Sequence, residues 1–288
     1  MIEAFNAHRP LLFGIAYRML GSVAEAEDIT QELWLRWRQQ DEAAIQSPKA
    51  WLVSAATRLC IDQLRSARKG RVDYYGVWLP EPLLPTTAGD PGQTAEMSDS
   101  LTMAFMLMLE SLGPVERAVF LLREVFDYDY TEIAATVGKS EANCRQIVRR
   151  AKVQLQASPR PAPAPPTEQA RRLVEKFLAA TASGEVRDVL ALLAEDSTVF
   201  SDGGGRVKAA GRPILGADRV SRFLLGIWPH FVVEMERRFV DISGCPGLLM
   251  GLDGQVHYAF SFELAGDRVR NIYIICNPDK LRHLAPAS

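Results

Sequence analysis

The sequence is poor in cysteine, and what it has is scattered. Cys60, Cys144, Cys245 and Cys276 are the four in 288 residues, none in a CxxC pair, which argues against a disulfide framework or a zinc site and predicts buried thiols. Long apolar runs are also missing. The longest, LTMAFMLML from Leu101 to Leu109, falls far short of the ~20 residues that cross a bilayer, so it reads as core helix and no membrane partner is expected. The opening MIEAFNAHRP places Glu3, His8 and Arg9 where an export signal needs apolar residues, and the expectation is a cytoplasmic chain. Positive charge is in no excess, with 33 Lys+Arg against 35 Asp+Glu and a net charge of -2. The sequence holds no nucleophile elbow, metal-ligand spacing or phosphate loop, so no metal, cofactor or catalytic residue is expected.

What is present is ample apolar content, 48% of the chain, enough for two or three domains. ASPRPAPAPPTEQA, Ala157 to Ala170, packs five prolines into the eight residues Pro159 to Pro166 and reads as a stiff spacer. Before it the pattern is helical, near 2–20, 23–39, 48–69, 95–111, 114–125, 129–137 and 140–156. After it two helices (168–183 and 185–193) precede alternating β-type runs, with one more helix near 217–227, which predicts an α+β domain with an antiparallel sheet. Gly70 to Thr94 lacks periodic segments and reads as a long linker. The expected division is 1–72, a linker 73–94, 95–157, a proline-rich linker 158–166, and 167–284.

Three helices carry the functional signal. YTEIAATVGKSEANCRQIVRRAKVQL, Tyr130 to Leu155, has the spacing of a helix-turn-helix: Ile133 and Val137 pack the first helix, Gly138 turns, and Ser140 caps the second. Cys144, Val148, Ala151 and Leu155 then face inward, leaving Asn143, Arg145, Gln146, Arg149 and Arg150 to reach base edges and phosphates in a major groove. On the helix near 48–69, Trp51, Arg58, Asp62, Arg65 and Lys69 share a stripe opposite Leu52, Ala56, Leu59 and Cys60. With Arg68 and Arg71 added, positive charge is concentrated locally, and local potential governs phosphate binding. Such a stripe is most often a solvated surface; Trp51, able to stack on an unpaired base, favours single-stranded nucleic acid. The helix near 23–39 turns Ile29, Leu33 and Trp37 inward and Asp28, Gln31, Glu32 and Leu35 outward, which suits a protein partner and equally an ordinary acidic surface with one stray leucine.

Taken together these residues resemble a family, the sigma-70 factors of the extracytoplasmic-function type. AEDITQELWLRW with WLVSAATRLCIDQLRSARKG resembles their region 2, and LGPVERAVFLLREVFDYDYTEIAATVGKSEANCRQIVRRAKVQL resembles region 4. The likeness spans Met1 to about Ala157 and implies an alternative sigma factor that directs promoter recognition and transcription initiation, with core RNA polymerase and promoter DNA as partners. It implies that Asp28, Gln31, Glu32 and Leu35 face the polymerase β′ clamp. The stripe from Trp51 to Lys69 would engage the -10 element and the helix from Ser140 to Arg150 the -35 element. Cys144 stands where the family usually has a larger aliphatic side chain.

The rest of the chain resembles the SnoaL-like cone of the nuclear-transport-factor-2-like superfamily, in the form carried by one group of these sigma factors. WLPEPL (Trp78, Leu79, Pro80, Glu81 onward), DGGGR (Asp202, Gly203, Gly204, Gly205, Arg206) and NPDKL (Asn277, Pro278, Asp279, Lys280, Leu281) resemble marks of that group. Taken alone, DGGGR reads as a hairpin turn and NPDKL as the end of a last strand. Docking of WLPEPL on DGGGR is expected, so that the chain's own C-terminal domain regulates it in cis. Trp228, Phe231, Phe260, Phe262 and Tyr273 are expected to line the cone as packed core rather than as a pocket for an unknown small-molecule ligand. His230, His257, Asp253, Asp202 and Glu263 are weighed as catalytic candidates and read as satisfied or solvent-facing. Two rivals stand beside this reading: a DNA-binding regulator with a ligand-sensing domain acting without polymerase, and an enzyme of the cyclase or isomerase kind.

Overall fold

The computed structural model describes residues 1–41, 45–71, 74–84, 101–156, 167–230 and 235–284. The side chains of residues 67–71, 156, 167 and 230 lie outside this description. The chain forms two compact units: Met1–Asp73 with Met106–Pro159, and Tyr74–Phe105 with Arg160–Ser288.

The first unit is helical. Helices α1 (Ile2–Leu20), α2 (Val23–Trp37) and α3 (Pro48–Arg71) pack on one another. Ser22 caps α2, its hydroxyl accepting from the Glu25 amide at 3.1 Å, and Ile29, Leu33 and Trp37 turn into the core. Helix α4 (Met103–Leu109), of which Met106–Leu109 lie in this unit, leads to α5 (Pro114–Glu124), α6 (Tyr130–Val137) and α7 (Glu141–Gln156). The expected helix 95–111 is therefore observed from Met103, and its first six residues lie outside the described ones. Between α6 and α7, Gly138 takes a left-handed φ of 66°, and the Ser140 hydroxyl accepts from the Asn143 amide at 3.3 Å. Cys144, Val148, Ala151 and Leu155 are buried as their spacing predicts.

The second unit places α8 (Thr167–Ser183), α9 (Val186–Leu192) and α10 (Ala217–Ile227) against one face of a six-stranded sheet. The strands are β1 (Leu193–Asp202), β2 (Ile214–Leu215), β3 (Glu236–Ile242), β4 (Cys245–Leu252), β5 (Gln255–Ala265) and β6 (Arg268–Ile275). Their order is β2-β1-β6-β5-β4-β3. This is the expected α+β cone with one correction: β1 pairs parallel to β6, the other pairs being antiparallel. The first strand follows a helix and receives the last strand of the meander beside it, so no hairpin joins the two.

Candidate functional site: two helical modules and a gripped linker

Alternation along the strands decides what fills the cone. Phe260, Phe262, Ile272 and Ile274 face the helices and pack with Phe177, Leu224 and Trp228. The rings of Phe177 and Phe262 meet edge-on at 6.1 Å, and those of Phe260 and Phe262 stack at 6.4 Å. Tyr273, one residue on from Ile272, necessarily points to the opposite face, contrary to expectation. There its ring stacks on Phe200 at 5.2 Å, and its hydroxyl donates to Glu263 at 3.0 Å. Asn271 donates to the same carboxylate at 2.8 Å, so Glu263 is satisfied by its strand neighbours. Burial, then the nearby Glu263 charge, raises the Tyr273 pKa well above the ordinary phenol value. Asp253, in the turn before β5, and His257 are exposed, and Phe231 lies outside the described residues.

At one end of the sheet a buried charge holds the extended segment that follows α3. Asp202, 1% exposed at the end of β1, ion-pairs with Lys280, 7% exposed, at 2.7 Å. The same carboxylate accepts from the Leu79 amide at 2.8 Å and from the Tyr74 hydroxyl at 2.5 Å. Lys280 donates also to the Leu79 carbonyl, with its ammonium 4.2 Å from the Trp78 ring centroid and 5.1 Å from that of Tyr74. Asn277 donates to the Tyr74 hydroxyl at 3.0 Å, and burial, then Asp202, pushes that phenol's pKa up. Further along, Ser243 binds Leu83 through both backbone and side chain, its amide 2.7 Å from the Leu83 carbonyl. His283 lies 2.7 Å from the Pro82 carbonyl and 4.0 Å from the Glu81 carboxylate. WLPEPL thus lies against Asp202 and the NPDKL turn, with Pro80 buried beside Leu79 and Glu81.

DGGGR turns as expected, with Gly204 and Gly205 at φ 58° and 70°, and NPDKL follows the last strand, which ends at Ile275. Residues 203–213 form a long connection from β1 to β2, not a tight hairpin, and Pro278–Lys280 is a short 3-10 turn capped by Asn277. Close approach is the reason for glycine at 204. A β-carbon there would sit 2.2 Å from Asn277 Nδ2, and its φ is 58°.

The first unit brings together residues that were assigned to different DNA elements. Arg58 on α3 donates to the carbonyls of Ala135 and Thr136, both at 2.9 Å, in the last turn of α6. Reciprocally, Arg117 on α5, 3% exposed, donates to the Met19 carbonyl in the last turn of α1 at 2.7 Å and ion-pairs with Glu110 at 2.8 Å. Each arginine meets unpaired carbonyls at the negative end of a helix. Arg18 adds a cation–π contact, 5.4 Å from the Phe126 ring, and burial lowers its pKa to about 10. Trp51 is half-buried, packed against Trp37 with centroids 5.3 Å apart, so part of the ring expected to meet a base is already covered. Arg65 pairs with Asp62 at 3.3 Å, and the side chains of Arg68 and Lys69 lie outside the described ones.

On α7, Asn143, Arg145, Gln146, Arg149 and Arg150 are exposed. Arg145 pairs with Glu141 at 2.9 Å, and Arg150 lies 3.9 Å from Glu116. On α2, Asp28, Gln31 and Glu32 are exposed, as is Leu35 at 52%.

Residues 4–70 match the model for Sigma-70 region 2, and residues 102–155 match that for Sigma-70, region 4. The chain is 39% identical over 291 residues to the ECF RNA polymerase sigma factor SigJ of Mycobacterium tuberculosis, covering 97% of this chain and 92% of that protein. This chain belongs to the ECF sigma factors. As an ECF sigma factor it also shares 29% identity over 280 residues with the probable ECF RNA polymerase sigma factor SigI of the same species, 96% of this chain and 93% of the other. The crystal structure of M. tuberculosis SigJ superposes on this ECF sigma factor with a TM-score of 0.78 and 32% identity, over 100% of both chains. The helical modules and the α+β cone are thus a shared architecture. Among the described residues no helix is long and apolar enough to cross a membrane.

Sequence reasoning missed Tyr74, Ser243 and His283. Tyr74 lies at the start of the linker 73–94, and its role emerges only when Asp202 and Asn277 arrive from far along the chain.

Proposed function

We propose that this sigma factor brings core RNA polymerase to promoters by dividing the work among three surfaces, and that the cone sets when they can act together. The outward face of α2 (Asp28, Gln31, Glu32, Leu35) binds the polymerase clamp. The basic face of α3, with Trp51, Arg58, Arg65, Arg68 and Lys69, engages the -10 element. On α7, Asn143, Arg145, Gln146, Arg149 and Arg150 read the -35 element beside the Ser140 cap. The chain acts by binding, with no catalytic step of its own.

Elements centred near -10 and -35 lie about 25 base pairs, or ~85 Å, apart along B-DNA. A unit in which Arg58 is hydrogen-bonded to α6 cannot serve both, so the active form is opened. The cone bears on that opening through the linker. Thirty-one residues, 72–102, separate α3 from α4, a reach of at most ~105 Å at 3.4 Å per residue. With 74–84 held on the cone, eighteen residues, 85–102, remain between the grip and α4, a reach of at most ~60 Å. The grip of Asp202 and Lys280 on Tyr74 and Leu79 is the observation that carries this regulatory reading.

The test is transcription from the cognate promoter with purified core enzyme. Truncation after Ala157, or replacement of Asp202 or Asn277 by alanine, should change transcript yield with little change in core binding. Crosslinks between positions near Trp78 and near Gly204 should be lost in the same variants. A truncated chain that transcribes like the intact one would separate the cone from initiation.

A further inference from the structure

The gripped linker exposes an aromatic residue over a loop of the cone that carries cations. Tyr75 is 75% exposed. It rests on the loop that follows β1: a β-carbon on Gly205 would lie 3.4 Å from that of Tyr75, and one on Gly76 would lie 3.9 Å from the Gly211 Cα. The chain at 75–76 therefore runs between the two ends of the loop 205–211. That loop is fixed in shape. The Gly203 carbonyl accepts from the amides of Arg206 at 2.9 Å and Val207 at 3.1 Å, and the Ala210 amide donates to Ser201 Oγ at 2.8 Å. A β-carbon at Gly203 would lie 2.1 Å from the Val207 carbonyl oxygen, which shows how closely the loop folds back.

Arg206 and Lys208 on this loop and Arg212 just after it are all exposed. Arg206 pairs with Asp279 at 3.3 Å, and Arg282 contacts the same carboxylate. Asp202 is buried against Lys280. Lys208 and Arg212 make no ion pair among the described residues, so the loop on which Tyr75 rests carries uncompensated positive charge.

We propose that Tyr75, Lys208 and Arg212 form a further nucleic-acid contact that takes phosphates of promoter DNA adjoining the -10 element. An exposed ring resting on a loop that also carries two cations without ion pairs suits sugar, base and phosphate. Chain continuity supplies the placement: Tyr75 follows Arg71, the end of the basic helix α3, by four positions. The proposal rests on the sigma-factor reading, and the test separates the two.

Holoenzyme formed with core polymerase is titrated with two fluorescent promoter probes, one fully duplex and one with an unpaired strand from the -10 element onward. Replacing Lys208 and Arg212 together with glutamine should lower the slope of log affinity against log salt by about 1.4 for unpaired DNA and about 1.8 for duplex. Tyr75→Ala should weaken the unpaired probe alone by about tenfold if a base stacks on the ring. Equal weakening of both probes would assign the contact to the duplex backbone, still within the proposal. Unchanged affinity and salt slope in the double variant would overturn it. So would lost core binding with DNA contacts intact, which gives the surface to polymerase and leaves the sigma-factor reading standing.

Discussion

Replacing Arg58 with alanine should loosen one DNA-binding module from the other before DNA is present. Its two hydrogen bonds, both 2.9 Å, run from a charged donor to neutral carbonyls at the end of α6. Bonds to a charged group contribute roughly 1.5 to 3 kcal/mol when buried, and the exposure of Arg58 reduces the pair to about 1 kcal/mol. The opening constant should therefore rise about fivefold, 1.4 kcal/mol being tenfold. The buried Arg117 contact remains, so the closed form should still dominate. Pulsed electron paramagnetic resonance between spin labels at Gln39, just beyond α2, and at Val153 on α7, both exposed, reads the long-distance population directly. Core polymerase should move both wild type and variant toward that population. If Arg58→Ala leaves the free chain's distance distribution unchanged, the two bonds contribute nothing to closure and the reasoning fails.

Changing Leu35 to Asp should abolish co-purification with core enzyme while circular dichroism stays that of the wild type. Substituting Gln146 or Arg149 should shift preference at the upstream element by ~1 to 3 kcal/mol per lost base contact, measured by competition binding. Lys280→Ala, which strands a buried carboxylate, should destabilise the C-terminal unit by about 3 to 5 kcal/mol in thermal unfolding. Burial, then Asp202, raises the Cys276 pKa to about 11. At pH 8 only about one thiol in a thousand is then ionised, so a thiol reagent should label Cys276 slowly in the wild type and faster in Asp202→Ala.

Residues whose roles are local were legible in the sequence. Ser140, Gly138 and the inward face of α7 follow from capping, turn geometry and helical period, and the outward Leu35 follows from the same period. Tyr273 was misplaced because strand alternation sends neighbours to opposite faces, and the sequence leaves open which neighbour faces the helices. Arg58 was read as free for DNA because a helical wheel shows which face a side chain leaves, not which carbonyl arrives there. DGGGR suggested a tight hairpin; its glycines do take the positive φ of a turn, and at Gly204 the further constraint is the approach of Asn277, more than seventy residues later. The parallel β1–β6 pair escaped notice for the same reason, its partners being joined only by the whole intervening sheet.

The linker's grip joins early and late parts of the chain: Tyr74 and Asn277 are 203 residues apart. A ribosome adding 5 to 20 residues per second makes Tyr74 about 10 to 40 s before it makes its partner. Both helical modules have by then left the ribosome, with every residue they need to fold. Each newly made molecule therefore passes through a period in which the cone has no hold on it, and during translation any restraint from the C-terminal domain arrives last.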